Sequence, residues 1–483
     1  MINTSKAPPF WLITGLCIVA SFALFLPVLG SSFFADDFLA VWRIGVLGEL
    51  RQVSFFRPLS EFTLWINNII TGPVPAGYRA FNVLVHALNG SLIYLLVNRF
   101  PGLREHRHAT TMALVAAVLF LAYPFHNESI VWVVGRGTSI ATLFTLTGLV
   151  ALNSGMSERR KLTLVPLCCF LGALAYESML LFPLIITPML LRGCAEQRPF
   201  RQRMAWAMIG TIALHFVLRW AFTRQVTNAY GGAFFDRPWA TYPMNAAKVL
   251  GRLLLPPVAD EHTQLLRFAL LLTLLAVTAF VFWRRYWSDR PIRVAAVDLL
   301  WMLGVSCVVA VVASVSTRTS ESDRFLYMPS AFLCILMALV LFTLVDGMLR
   351  WAMVALLLIG SCILLQVNNA HWATASVTIG RIVKELPAPP DNGRLFVSGL
   401  PQENNGAFIF RHGFHEGLLL AGRDTARIVR ADTILWGVAN PRGTPTLSNE
   451  NRQDTLFLRT SDQLAVWTSH GFAVGGSRPT VPR

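Results

Sequence analysis

The run FWLITGLCIVASFALFLPVLG at residues 10–30 passes directly into SSFFADDF at residues 31–38. The first stretch is uncharged over the roughly 20 residues a helix needs to cross a bilayer. One lysine precedes it and no small-residue cleavage site follows, so it reads as a retained membrane helix, not a signal peptide. The second stretch places adjacent carboxylates, Asp36 and Asp37, among phenylalanines just past that helix. A like-charged pair at a bilayer surface is unfavourable unless a cation, a proton or a substrate hydroxyl compensates it. The plainer alternative is an acidic turn that caps the next helix, a role Asp fills well.

Composition extends the membrane reading to the whole chain. Of 483 residues, 54% are hydrophobic and only 14% charged, which excludes an ordinary soluble globule. Mean hydropathy is +0.53. A net charge of +15 suggests nucleic acid until the cations are located. They sit in short loops between apolar segments, so the partner is the lipid bilayer, with no nucleic acid. The seven cysteines show no metal-ligand spacing and no disulfide framework.

Eleven spanning candidates follow, at 10–30, 81–98, 109–124, 130–152, 161–175, 178–192, 204–222, 264–283, 295–317, 325–344 and 350–367. One set of connecting loops holds sixteen Lys and Arg, while the longer opposite set holds ten. The positive-inside rule then puts the N-terminus in the cytoplasm and the C-terminus outside, as for a multi-pass protein of the cell inner (plasma) membrane. Asp36 and Asp37 fall on the outer face. Within the first outer loop, Phe38–Leu50 and Leu59–Ile70 have the mixed polarity of interfacial helices. The stretch from Ala246 to Pro257 is too short to span and carries two cations, so it reads as interfacial or re-entrant.

After Gln366 the composition changes. A turn-rich linker at 387–393 precedes short strand-like runs, Leu395-Phe396-Val397, Ala407-Phe408-Ile409-Phe410 and Thr433-Ile434-Leu435-Trp436. The organisation expected is a transmembrane domain at 1–370 and a small β-rich domain outside the membrane at 385–483.

Polar groups in and beside the apolar segments are the candidate site. Tyr78, Asn82, His86 and Asn89 share one helical face, either for interhelix hydrogen bonding or as a cavity wall. His126 and Glu128 lie in the outer turn leading to the fourth segment, where Glu128, Trp132 and Arg136 fall on one helical face. Arg136 there means an internal ion pair or an anion site. Glu177 lies in the tight turn between segments five and six, as a helix cap or a site residue. Arg57 and Arg324 add cations at the same depth, suited to phosphate through their planar forks or to snorkelling at the interface.

In order, Phe34-Ala35-Asp36-Asp37, Phe56-Arg57-Pro58-Leu59 and Tyr78-Arg79-Ala80-Phe81-Asn82-Val83-Leu84-Val85-His86-Ala87-Leu88-Asn89 resemble the start of the C-type (GT-C) membrane glycosyltransferases. They look most like the transmembrane and tetratricopeptide-repeat O-mannosyltransferases and their bacterial relatives. Pro124-Phe125-His126-Asn127-Glu128 with Gly135-Arg136, and Asp323-Arg324-Phe325-Leu326-Tyr327-Met328-Pro329-Ser330, resemble that family's later signatures. The likeness covers 10–367. The family commonly has Lys-Glu where Tyr176-Glu177 stands here, and a small outer domain replaces the repeats.

The resemblance implies an all-α polytopic membrane protein, a GT-C-like bundle with interfacial helices in its first outer loop. It implies transfer of a sugar from a polyprenyl-phosphate donor to an acceptor protein, lipid or glycan outside the cytoplasm, usually with inversion; mannose is one candidate sugar. An acceptor hydroxyl needs a base, which Asp36 or Asp37 can supply. Arg57, Arg136 or Arg324 can receive the departing lipid phosphate. Asn82, His86, His126, Glu128, Glu177 and Tyr327 join them as candidate substrate-binding residues. Hard cations favour carboxylate oxygens, so Asp36 and Asp37 are also candidate ligands for a divalent metal ion, Mg or Mn. Two other readings use the same residues: a transporter or flippase of a lipid-linked glycan, and a sensor whose outer domain binds a partner.

Overall fold

The computed structural model describes residues 8–50, 55–192, 195–226, 238–286, 289–431, 433–435, 446–448, 455–457 and 461–475. Uncharged or nearly uncharged apolar runs become helices because only internal backbone pairing satisfies N–H and C=O groups in hydrocarbon. In chain order the helices are α1 (Phe10–Leu29), α2 (Asp36–Val41), α3 (Pro58–Thr71), α4 (Pro75–Arg99), α5 (Ala109–Leu121), α6 (Asn127–Ile130), α7 (Arg136–Leu152), α8 (Glu158–Ala175), α9 (Phe182–Leu191), α10 (Arg198–Thr223), α11 (Thr241–Leu254), α12 (Glu261–Tyr286), α13 (Arg290–Ala313), α14 (Tyr327–Leu344), α15 (Gly347–Glu385) and α16 (Phe414–Leu420). Pro at the first turn of α3, α4, α10 and α13 costs no hydrogen bond and pre-sets the helical φ.

All eleven expected segments are helical, but among the described residues eight helices are long and apolar enough to cross a membrane. α5 and the stretch Glu177–Leu191 are shorter, and α8 opens on Glu158-Arg159-Arg160-Lys161. The last segment, expected at 350–367, instead continues as one helix to Glu385. The expected shared face of Glu128, Trp132 and Arg136 is not formed. The chain leaves the helical region at Trp132 (φ −75°, ψ 116°), and a 3₁₀ turn, Val133–Gly135, separates α6 from α7.

The chain forms two compact units, residues 1–29 with 49–370 and residues 30–48 with 371–483. In the first, α4 packs against α1, α5 and α7, α7 packs on α8, and α13 packs on α14. Small residues allow close approach: a Cβ on Gly90 of α4 would lie 2.6 Å from the Leu121 side chain of α5.

The second unit carries a mixed sheet in the order β4-β1-β8-β9. Its strands are β1 (Leu395–Ser398), β4 (Ile428–Arg430), β8 (Gln463–Thr468) and β9 (Gly471–Gly475). β1 runs parallel to both β4 and β8, with Phe396 opposite Val429 and Leu464, and β9 turns back antiparallel. Phe396, Ala431 and Leu464 form its buried core. A short ladder joins β2 (Glu403–Asn404) to β3 (Ala407–Phe408), and β5 (Thr433–Leu435), β6 (Thr446–Ser448) and β7 (Thr455–Phe457) form a third sheet. Ile409 and Phe410, expected in a strand, lie beyond β3, and Trp436 lies outside the described residues.

Candidate functional site

The acidic motif belongs to the second unit. Neither aspartate is the cap of α2: Ala35 holds that position, and both carboxylates lie in the helix's first turn. Asp37 is fully buried and its Oδ2 accepts the Phe34 N–H at 3.2 Å, while the Asp37 N–H returns to the Phe34 carbonyl at 2.9 Å. Asp36 is half-buried. Ala35 adopts φ 42°, ψ −117°, outside the ordinary regions for a residue with a Cβ. Its N–H donates to the Ile409 carbonyl at 3.0 Å. Phe34 meets the Trp372 edge at 4.8 Å, Phe38 stacks on Phe410 at 5.6 Å, and Ser32 donates to Ser376 Oγ at 2.8 Å. Strained backbone of this kind persists only where its surroundings over-determine it.

In the first unit, two half-exposed arginines are each held by a glutamate. Arg57, at the start of α3, donates to Glu177 Oε2 from both Nε (2.9 Å) and an Nη (2.8 Å), and its guanidinium lies 4.2 Å from the Tyr176 ring centre. Glu177 therefore serves an ion pair, not a helix cap. Burial opposes the Arg57 charge, but Glu177 and then Tyr176 outweigh it and hold the guanidinium above its usual value. Arg324 pairs with Glu128 through its side chain, and its backbone N–H donates to Glu128 Oε2 at 2.9 Å. Glu128 is 1% exposed; burial pushes its carboxyl upward against the pull of Arg324. The side chains of Arg57 and Arg324 are 25% and 23% exposed, so neither is sealed in the bundle. Tyr176 interacts with both.

The remaining expected residues form a buried layer. His86 Nε2 donates to the Leu121 carbonyl at 3.2 Å and its Nδ1 accepts the Tyr327 hydroxyl at 2.8 Å; Asn89 also donates to that hydroxyl, at 3.1 Å. His126 Nε2 donates to Ser330 Oγ at 2.7 Å, which itself donates to the Tyr327 carbonyl at 2.7 Å. Asn82 donates to the Ile130 carbonyl at 3.0 Å. Arg136 is fully buried and pairs with Asn67 Oδ1 at 2.6 Å and the Tyr78 carbonyl at 3.0 Å; Glu128 binds Arg324 instead. All of these side chains are inaccessible, so their hydrogen bonds join helices.

Two polar groups were missed at the sequence level. One Nη of Arg252 in α11 donates to both carboxylate oxygens of Asp323 (2.7 and 2.6 Å), with both side chains 2% exposed and the guanidinium against the Phe125 ring. His215 and Arg219 lie one turn apart on α10, buried at 0% and 3%. The signal was available: two basic side chains at i and i+4 in an otherwise apolar segment.

This bundle has the fold of the C-type membrane glycosyltransferases. No family profile matches the chain. An archaeal oligosaccharyltransferase, AglB of Archaeoglobus fulgidus, solved with an inhibitory peptide and a dolichol-phosphate, superimposes with a TM-score of 0.51 at 13% identity over 86% of this chain and 65% of that one. In sequence, part of the chain is similar to protein O-mannosyl-transferases. One from Caenorhabditis elegans is 23% identical over 26% of this chain and 20% of that protein. TMTC4 of Homo sapiens is 28% identical over 36% of this chain and 28% of that protein. The chain thus spans less than a third of the length of these relatives.

Proposed function

We propose that the chain is a membrane glycosyltransferase that moves a hexose from a polyprenyl-phosphate donor to an acceptor hydroxyl on the outer face of the inner membrane. The observation that carries this reading is the pair of half-exposed arginines, Arg57 and Arg324, each fixed by a glutamate, the half-buried Glu177 and the buried Glu128, with Tyr176 beside both. Such pre-oriented forks favour the charge that develops on a departing phosphate. Asp36, the more exposed carboxylate, is the general base, and Asp37 holds the motif through the Phe34 N–H. Asp36 takes the acceptor's proton, the acceptor oxygen bonds to the anomeric carbon, and the carbon–oxygen bond to phosphate breaks with its electrons on the lipid phosphate. Asn82, His86, His126, Arg136 and Tyr327 hold together the helices of the first unit that carry Arg57 and Arg324. The named relatives favour mannose as the sugar, and a protein, lipid or glycan as acceptor.

Two carboxylates offer the oxygen donors that Mg or Mn takes, which fits a divalent ion. Among the described residues no group of three or more His, Cys, Asp or Glu side chains gathers, so an ion at Asp36 and Asp37 would keep water or substrate oxygens as its other ligands. Such an ion would supply positive charge beside the carboxylates.

The test is to incubate the purified protein and a hydroxyl acceptor with a panel of polyprenyl-phosphate sugars. Free lipid phosphate in the mass spectrum supports transfer. Donors recovered intact from every incubation, but moved across a vesicle membrane, would mean a flippase.

A further inference from the structure

The buried pair on α10 has no role in the layer just described. Among the described residues the Arg219 guanidinium makes no hydrogen bond or ion pair, its Nε is sealed from solvent, and both ring nitrogens of His215 are buried without a partner. α10 is a helix long and apolar enough to cross a membrane, where an unpaired cation is among the most unfavourable groups a chain can carry. Both side chains lie beside the Arg57–Glu177 pair. The Phe56 ring, one residue before Arg57, meets the His215 ring at 5.5 Å, and Glu177 acts electrostatically on His215 and Arg219. Glu177 Oε1 is itself buried and unpartnered.

We propose that His215 and Arg219 extend the Arg57 site into a subsite for a lipid-borne glycosyl phosphate. The proposal rests on the donor class given above. The inventory of unmet groups selects the ligand. Arg219 only donates, His215 in its neutral form offers one N–H, and together with Arg57 they ask for an anion rich in acceptor oxygens. Glu177 Oε1 only accepts, and asks for a hydroxyl. A phosphate bearing a sugar supplies both; a carboxylate or a bare fatty acid supplies only the first. The lipid source follows from the other face of α10, where Trp206, Ile209, Val217 and Trp220 are exposed and apolar, so an isoprenoid chain attached to the phosphate has hydrocarbon to lie against. Sequence comparison with the motifs named earlier does not reach these residues, because they lie in a segment those motifs skip.

Binding of undecaprenyl phosphate to the full chain in nanodiscs, read by native mass spectrometry without sugar or acceptor, tests this. Arg219→Gln should weaken binding about tenfold or more, the loss of one charge-assisted pair. His215→Gln should weaken it less, and Arg219→Lys should retain part of it. The ligand-free Arg219→Gln protein should melt no lower than wild type, since it loses a buried cation that no described residue pairs with. Unchanged affinity in Arg219→Gln, or a large drop in its melting temperature, overturns the proposal. Inorganic phosphate competing as well as the lipid at equal concentration would overturn the lipid source. Because no turnover is read, Arg219-dependent binding without sugar transfer would keep this subsite and sink the transferase reading; transfer that ignores both variants would do the reverse.

Discussion

The Ala35 N–H donates to the Ile409 carbonyl at 3.0 Å, tying the acidic motif after the first membrane helix to the loop after β3. On the other side of that loop, Gly413 has φ +74°, and a Cβ there would lie 2.6 Å from the Ala35 carbonyl oxygen. An alanine in an unfavourable conformation is thus clamped by residues from the far end of the chain. Such a conformation costs on the order of 1–3 kcal/mol and persists only where its surroundings over-determine it.

Gly413→Ala should therefore loosen the motif. Both the positive φ and the clash oppose the change, with about 1–3 kcal/mol lost from the second unit. Hydrogen exchange at residues 33–38 should accelerate while α4 and α7 keep their protection. Unaltered exchange at Phe34 and Ala35 would show that the clamp is not needed.

Asp36→Asn and Asp37→Asn separate the two proposed roles. Removing a general base lowers turnover about 10²–10⁴-fold, and this is the outcome expected for Asp36. Asn at 37 can still accept the Phe34 N–H, so that variant should insert and fold with the smaller loss. Full activity in both would remove the acid–base mechanism.

The Glu128–Arg324 pair calls for a double-mutant cycle. Breaking a buried pair from one side costs about 3–5 kcal/mol because a charge is left uncompensated. Glu128 is 1% exposed, so Arg324→Gln should depress the melting temperature strongly. Adding Glu128→Gln should recover most of that stability without recovering donor binding. Recovery of both would mean that the pair is structural only.

His126 sets an acid limit. Burial, then the neighbouring His86, hold its imidazole well below the ordinary value. A histidine whose folded-state value is depressed contributes stability above the unfolded value near 6.5, and loses it as pH falls toward the folded value. Melting temperature should drop below about pH 6.5, with a slope of up to about 1.36 kcal/mol per pH unit from this one group. In His126→Asn that slope should shrink; an identical acid limb would assign the effect to other groups.

The helices were readable because apolar runs bounded by arginines leave the backbone no other choice in a bilayer. Their continuity was not. The break at Trp132 follows no proline, and a smooth helical wheel over 128–136 put Arg136 beside Glu128 when the fold gives Glu128 to Arg324. The pairing of Arg57 with Glu177 joins positions over a hundred residues apart and has no local signature. Isolated polar residues in the spans were noticed one helix at a time. His215 and Arg219 lie in a segment that none of the recognisable motifs includes, while His86 and Tyr327, which those motifs do include, lie sealed in the core.

The clamp on Ala35 also sets an order of events during biosynthesis. Asp36 and Asp37 leave the ribosome early, but Ile409, Phe410 and Gly413 are made only after the membrane helices. Contacts between such distant positions close late, and domains fold as their last essential residue becomes available. A nascent chain that ends before residue 409 can therefore insert its helices with the carboxylates still unpositioned, so that the proposed chemistry switches on only once residues 409–413 have been made.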